Sequence, residues 1–337
     1  MNILKMNKLT ISILKVLKKL YNKTHSNERY QQYFRGLSWD PQETADIIMA
    51  QLAADSPCMI ARFGSTELSC VTNYMAIKHH KNEVMKFIRD DISEWWWNES
   101  IMQQMQEWSG FFPPTEENLA KFSELIMEDE KQLDILVSWV KAEKKIKEYL
   151  PQGLKKIKLI PFDPFWAENP WTQVLEGKKV LVVHPFAKQI ERQYKNNREK
   201  LFKNPKILPD FELHTIEAVQ SLGGDCNKFK DWFEALEWMK SEMDKVDYDI
   251  ALIGCGAYGF PLAAHAKRTG HKGIHMAGSL QLLFGIKGKR WENPNHGAAT
   301  LGYQGAYPAL FNEYWEYPDD IFKPKNADKV EGSCYWK

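Results

Sequence analysis

Three clusters in this 337-residue chain bring together residue types that hold phosphate or move protons. The first is Gly254-Cys255-Gly256-Ala257-Tyr258-Gly259, a G-x-G-x-x-G run between an apolar stretch that reads as a strand and a helix opened by Pro261. That spacing lets backbone N–H groups approach a phosphate at a helix N-terminus. A dinucleotide site also needs an acid about 20 residues further on to hold the ribose, and no Asp or Glu lies between Asp249 and Glu292. NAD is therefore disfavoured. The same interval holds Lys267, Arg268, Lys272, Lys287, Lys289 and Arg290, a formal charge of +6 with its histidines neutral, which suits an anion such as a nucleotide diphosphate. Lys267, Arg268 and Lys272 read equally well as cations solvating a helix end, whereas Lys287 and Arg290 sit in a Gly-bounded segment.

The second cluster is Arg62-Phe63-Gly64-Ser65-Thr66-Glu67. An arginine at the end of a buried strand is costly unless paired or used. Glu67 at a helix start can ligate a divalent ion or take a proton from an acceptor hydroxyl, with Arg62 clamping it or a phosphate. The alternative is structural: a Ser65 or Thr66 cap, Glu67 complementing the helix dipole, and a salt bridge. In the third cluster His184 ends a strand, and Asp163 stands in Phe162-Asp163-Pro164-Phe165-Trp166 after another. Both are candidates for the acceptor side or for supporting the groups that react; a structural histidine and a packed aromatic loop are the competing readings.

Elements of a particular kind must position these groups. Strands are expected at 58–64, 133–137, 156–160, 179–183, 212–217, 249–253 and 273–276. Helices are expected at 44–53, 67–77, 188–201, 228–243, 261–269 and 279–284, with a largely helical insert over about 82–150. Strands alternating with helices at this spacing give an α/β fold with a mostly parallel sheet covered on both faces, whose ligands bind at strand carboxyl ends. The uncharged stretch from Asn293 to Asn312, rich in Gly, Pro and Asn, opens a loop-rich tail over about 293–337.

Charge is segregated. Residues 1–27 carry Lys5, Lys8, Lys15, Lys18, Lys19 and Lys23 and no acid, which leaves 39 basic against 44 acidic residues in the other 310. Leu9, Ile13, Val16, Leu17 and Leu20 share one helical face there. This basic amphipathic helix reads as a contact with the cytoplasmic membrane surface, or as a helix packed on its own domain or on a second copy. Its apolar stretch is too short and broken for an export signal. The net charge of +1 gives no nucleic-acid footprint, and five cysteines without a C-x-x-C pair point to a reducing cytoplasm and away from a zinc site. Thirteen tryptophans are abundant enough to line a sugar site as well as a core; Trp95-Trp96-Trp97 is expected in a core or an interface.

The strand-end Ala61-Arg62-Phe63-Gly64-x-x-Glu67, the 254–259 loop, Pro261-Leu262-Ala263 and the 278–291 stretch together resemble bacterial glycosyltransferases of the GT-D fold, of the kind that builds cell-surface polysaccharide. The resemblance spans roughly residues 53–290. It implies one Rossmann-like domain over 28–337, a nucleotide-sugar donor such as a UDP-sugar, a glycan or lipid-linked acceptor, and Mn²⁺ or Mg²⁺ at an Asp-x-Glu motif. Glu67 matches that glutamate and is the implied metal ligand. Ser65 occupies the aspartate position, and Ala277-Gly278-Ser279-Leu280 replaces a later Gly-His-x-Asp type segment. The expected catalytic set is Glu67, Arg62, His184 and Asp163. The expected donor-binding set is Gly254, Gly256, Tyr258, Gly259, Gly278, Gln281, Lys287 and Arg290. An NADP-dependent oxidoreductase and a non-catalytic nucleotide- or glycan-binding module remain alternatives.

Overall fold

The computed structural model describes residues 7–222, 228–330 and 332–337; Lys5 and Cys226 lie outside them. Seven strands, β1 (Cys58–Ala61), β2 (Ile135–Ser138), β3 (Lys155–Lys158), β4 (Lys179–His184), β5 (Glu212–Glu217), β6 (Ile250–Ile253) and β7 (Lys272–His275), form one sheet in the order β3-β2-β1-β7-β6-β4-β5. Every pairing is parallel, and flanking helices make the fold an α/β, Rossmann-like one.

Alternation along the strands sorts side chains between two cores. Met59, Ala61, Leu181, Val183, Ala251 and Ile253 enter one, while Cys58, Ile60, Val180, Val182, Ile250 and Leu252 enter the other. Each Val, Leu, Ile or Met side chain buried this way contributes about 1.5–3 kcal/mol. The helix Gly259–Arg268 covers the first face through Leu262, Ala263 and Ala266, and the helix Ala187–Leu201 covers the second through Ile190 and Leu201. The chain therefore leaves the adjacent strands β4 and β6 in opposite directions. The gap between their carboxyl ends is the switch point at which such sheets bind ligands.

Local signals set the helix ends. Asp40 accepts the Gln42 N–H at 2.8 Å and Pro41 starts the helix Pro41–Ala53. Asp231 accepts the Glu234 N–H at 2.8 Å, so the helix expected from 228 begins at Trp232. The expected insert at 82–150 contains β2 and the core helix Glu116–Asp129, whose Leu119, Phe122 and Ile126 pack under the sheet. It is the long crossover from β1 to β2, together with β2 and the turn after it. Trp95 and Trp96 form a small third core with Phe87, Ile92, Ala76 and Leu14 of the helix Lys8–Tyr33.

Candidate functional site

A cavity of about 440 Å³ opens at the carboxyl ends of β1, β4, β6 and β7. Arg62, Glu67, Asp163, His184 and Arg290 all line it, together with Gly254, Gly256 and Tyr258. Trp291 and, from the tail, His296, Tyr307, Tyr335 and Trp336 complete its wall.

Arg62 follows β1 directly. Its guanidinium stacks on Trp139 at 4.5 Å, and its buried Nε meets no hydrogen-bond partner. Burial lowers its pKa, opposed by the charges of Tyr335, Glu67 and Asp163, with Arg290 adding repulsion. An arginine keeps its proton, so the site holds a desolvated cation. The Trp139 platform is itself fixed: its Nε1 donates to the Phe63 carbonyl at 2.8 Å and its backbone N–H to buried Glu143 at 2.9 Å. Arg290 stacks on Tyr335 at 4.9 Å and points Nη1 toward the phenol oxygen at 3.4 Å and Nη2 toward Cys334 Sγ at 3.2 Å. Two guanidinium groups on aromatic platforms thus face one volume.

Glu67 lies at the third position of the helix Ser65–His79, whose N-cap Gly64 offers no side chain. Its carboxylate folds back over Gly64 so closely that any Cβ at residue 64 would collide with it. The open face of the glycine before the helix is thus where the Glu67 carboxylate packs, at the cavity wall. One carboxylate beside a guanidinium, with Ser65 two residues before it, is a poor donor set for Mn²⁺ or Mg²⁺. Among the described residues no group of three or more His, Cys, Asp or Glu could hold a metal ion.

The two strand-end histidines are fixed in opposite tautomers. His184 Nδ1 accepts the Phe186 N–H at 3.0 Å, which puts the proton on Nε2. His275 Nδ1 donates to the Arg62 carbonyl at 3.1 Å, which leaves its buried Nε2 as a bare acceptor without a partner. Burial pushes both down to about 3, with Arg62 adding to the effect on His275, so both are neutral at pH 7. Tyr307 donates to Asp163 Oδ2 at 2.6 Å, while the buried Oδ1 has no partner. Burial raises Asp163 to about 6, against the Tyr307 and Ser279 hydroxyls and the Arg62 charge, which lower it.

No family model, curated protein or solved structure matches this chain.

Several expected donor-binding residues have other tasks. Residues 254–258 line the cavity and Gly259 does not, and the N–H groups of this loop are largely committed: Gly254 to Val183 O, Ala257 to Ser109 O, Tyr258 to Cys255 O and Gly259 to Gly256 O. Its glycines serve close packing. A Cβ at residue 254 would sit 2.6 Å from the Ala277 carbonyl oxygen, and one at residue 259 would enter the His275 ring. Gly256 takes φ +58°, which its lack of a side chain permits. The Tyr258 ring stacks on Trp232 with centroids 5.0 Å apart, and its hydroxyl lies 3.1 Å from Ser221 Oγ. Gly278 lies under the Tyr335 ring, and the Gln281 amide donates to the carbonyls of Ile286, Lys287 and Tyr335 at 3.2–3.3 Å.

Lys287 does not line the cavity. An isolated bridge between Ile286 and Glu316 turns the chain there, and the Lys287 ammonium lies 4.6 Å over the Tyr317 ring. His275, Trp139, Tyr307 and Tyr335 complete the site without having been expected in it. His275 carried a readable signal, since it ends β7 as His184 ends β4. The other three come from a loop and from the tail, where no spacing rule applies.

Proposed function

We propose that the chain is a glycosyltransferase that moves a sugar from a nucleotide-diphosphate donor to a hydroxyl of a glycan or lipid-linked acceptor. The observation that carries this reading is the pair of arginines, Arg62 and Arg290, facing one strand-end cavity together with the carboxylate of Glu67. In this transfer the bond between the anomeric carbon and the diphosphate oxygen breaks and the acceptor oxygen takes its place. Negative charge accumulates on the departing diphosphate, and fixed cations in a desolvated site stabilise that charge without reorganising. Arg62 and Arg290 supply it, and the His184 Nε2–H donates to a phosphate or sugar oxygen. Glu67 accepts the proton of the attacking hydroxyl. Asp163 holds sugar hydroxyls with its Oδ1, which has no partner among the described residues. No step runs through a metal ion.

Thermal melting in the presence of UDP-, GDP-, dTDP- and CMP-sugars, with NADPH as control and each with and without Mn²⁺, tests the reading. A ligand at 100 times its Kd stabilises by about 2.7 kcal/mol. A diphosphate sugar is expected to raise the melting temperature more than a CMP-sugar does, and Mn²⁺ to add little. Stabilisation by NADPH alone would overturn the assignment. Donor binding without turnover on any acceptor would reduce the protein to a binding module.

A further inference from the structure

At roughly 100° per residue, Leu9, Ile13, Val16, Leu17 and Leu20 fall on one side of the helix Lys8–Tyr33, and Ile11, Leu14 and Lys18 on the other. The body of the protein holds the second side. Leu14 is buried against Phe87, Trp95 and Trp96, Ile11 packs on the same cluster, and Lys18 pairs with Asp90 at 2.8 Å while lying 4.4 Å over the Phe87 ring. The more apolar side is left in solvent: Leu9 is 67%, Ile13 52%, Val16 57%, Leu17 44% and Leu20 56% exposed. Five aliphatic side chains fixed outward in a row gain nothing from water. Lys8, Lys15, Lys19 and Lys23 are exposed along the flank of that row, and residues 1–27 contain no acid.

We propose that this face docks on an anionic lipid bilayer, the aliphatic side chains entering the acyl boundary and the four lysines meeting phosphate headgroups. The charge pattern favours lipid over a second copy of the chain, because pairing two such faces would bring two lysine rows together. No helix among the described residues is long and apolar enough to cross a membrane, so the helix lies on the surface. The inference stands apart from the transferase reading, since it needs neither the cavity nor a donor.

The test is co-sedimentation of the full chain with phosphatidylcholine vesicles, with and without phosphatidylglycerol. Binding is expected to the anionic vesicles, to weaken with added salt, and to fall about 5-fold for each lysine removed in Lys15→Gln/Lys19→Gln. Ile13→Asp/Leu17→Asp, at exposed positions, is expected to abolish it while the melting temperature and nucleotide-sugar binding stay unchanged. Equal binding to neutral and anionic vesicles, no binding to either, or binding indifferent to both double variants would overturn the proposal. So would a dimer in sedimentation velocity that Ile13→Asp/Leu17→Asp dissolves, which would give the face to a second copy.

Discussion

The two ends of the sheet hold the same kinds of charge and treat them differently. At the amino end, Lys267 pairs with Asp134 at 2.7 Å, Arg268 with Asp129 at 2.5 Å, Lys179 with Asp247, and Lys272 donates to the Leu52 carbonyl at 2.9 Å. At the carboxyl end, the Arg62 Nε, the Asp163 Oδ1 and the His275 Nε2 are buried without partners around a cavity. The amino end has its own orphans, Asp129 Oδ2 and Glu130 Oε2, but they do not line that cavity, and burial lifts Glu130 to about 8, so it is neutral at pH 7. Unsatisfied polar atoms cost stability. At one end the fold holds its cations in ion pairs, and at the other it gathers two guanidinium groups, a carboxylate and neutral histidines around one cavity.

Variants can break that contrast, and the largest effect is expected at Glu67. Glu67→Gln should lower transfer by about 10³-fold, near the middle of the range for a lost general base, with an unchanged melting curve; full activity in this variant would remove Glu67 from the chemistry. Arg290→Ala and Arg62→Ala should each weaken donor binding by about 10- to 100-fold in calorimetry, the loss expected for a charge-assisted contact. At the other end Arg268→Ala should do the reverse. It strips the partner from buried Asp129 and costs about 2 kcal/mol in denaturant melts, less than a fully buried pair because Arg268 is partly exposed, while donor affinity holds. If Arg268→Ala weakened donor binding as much as Arg290→Ala, the division between the two ends would fail.

The pH response sharpens the same comparison. His184 has its folded pKa depressed to about 3 from the ordinary 6.5, so its contribution to stability is present above pH 6.5 and is lost as pH falls toward 3, because the unfolded chain takes the proton first. At pH 5 this amounts to about 2 kcal/mol. His184→Gln should remove that part of the acid loss, measured as the difference between urea midpoints at pH 7 and pH 5. Asp163, raised to about 6, works in the opposite direction, losing its contribution as pH rises from about 4 to 6, so only the single variants separate the two. Smallest of all, Lys287→Ala should change donor affinity by less than about 2-fold, as expected of an exchange outside the pocket.

Much of the scaffold was legible in the residues. The expected strand at 212–217 is β5 to the residue, and the others differ only at their ends. The first strand stops at Ala61 where the expectation ran to Gly64, because the chain leaves the sheet to begin the helix at Ser65. The candidate site was legible in part. Glu67, Arg62, Asp163, His184 and Arg290 come together, while Lys287, three residues before Arg290, is drawn away by the tail. Nothing local to residue 287 announces Glu316 as its neighbour. The charge of the acid-free interval was real, but its members disperse: Lys267 and Arg268 form ion pairs below the sheet, Lys272 donates to the Leu52 carbonyl, Lys287 lies over Tyr317, and Arg290 alone of the six lines the cavity.

Composition and periodicity alone determined the α/β class, the alternation that builds two cores, the apolar face of the basic first helix, and the strand-end position of the chemically able residues. Those are properties of neighbours in the chain, fixed by backbone geometry and by the gain from burying apolar surface. Only the tertiary structure decided which cations form ion pairs below the sheet and which line the cavity, and which side of the first helix is buried. Such choices depend on contacts between distant residues, as between Arg268 and Asp129, 139 positions apart. A charge is stabilised by whatever the fold brings beside it, and no local pattern records what that will be.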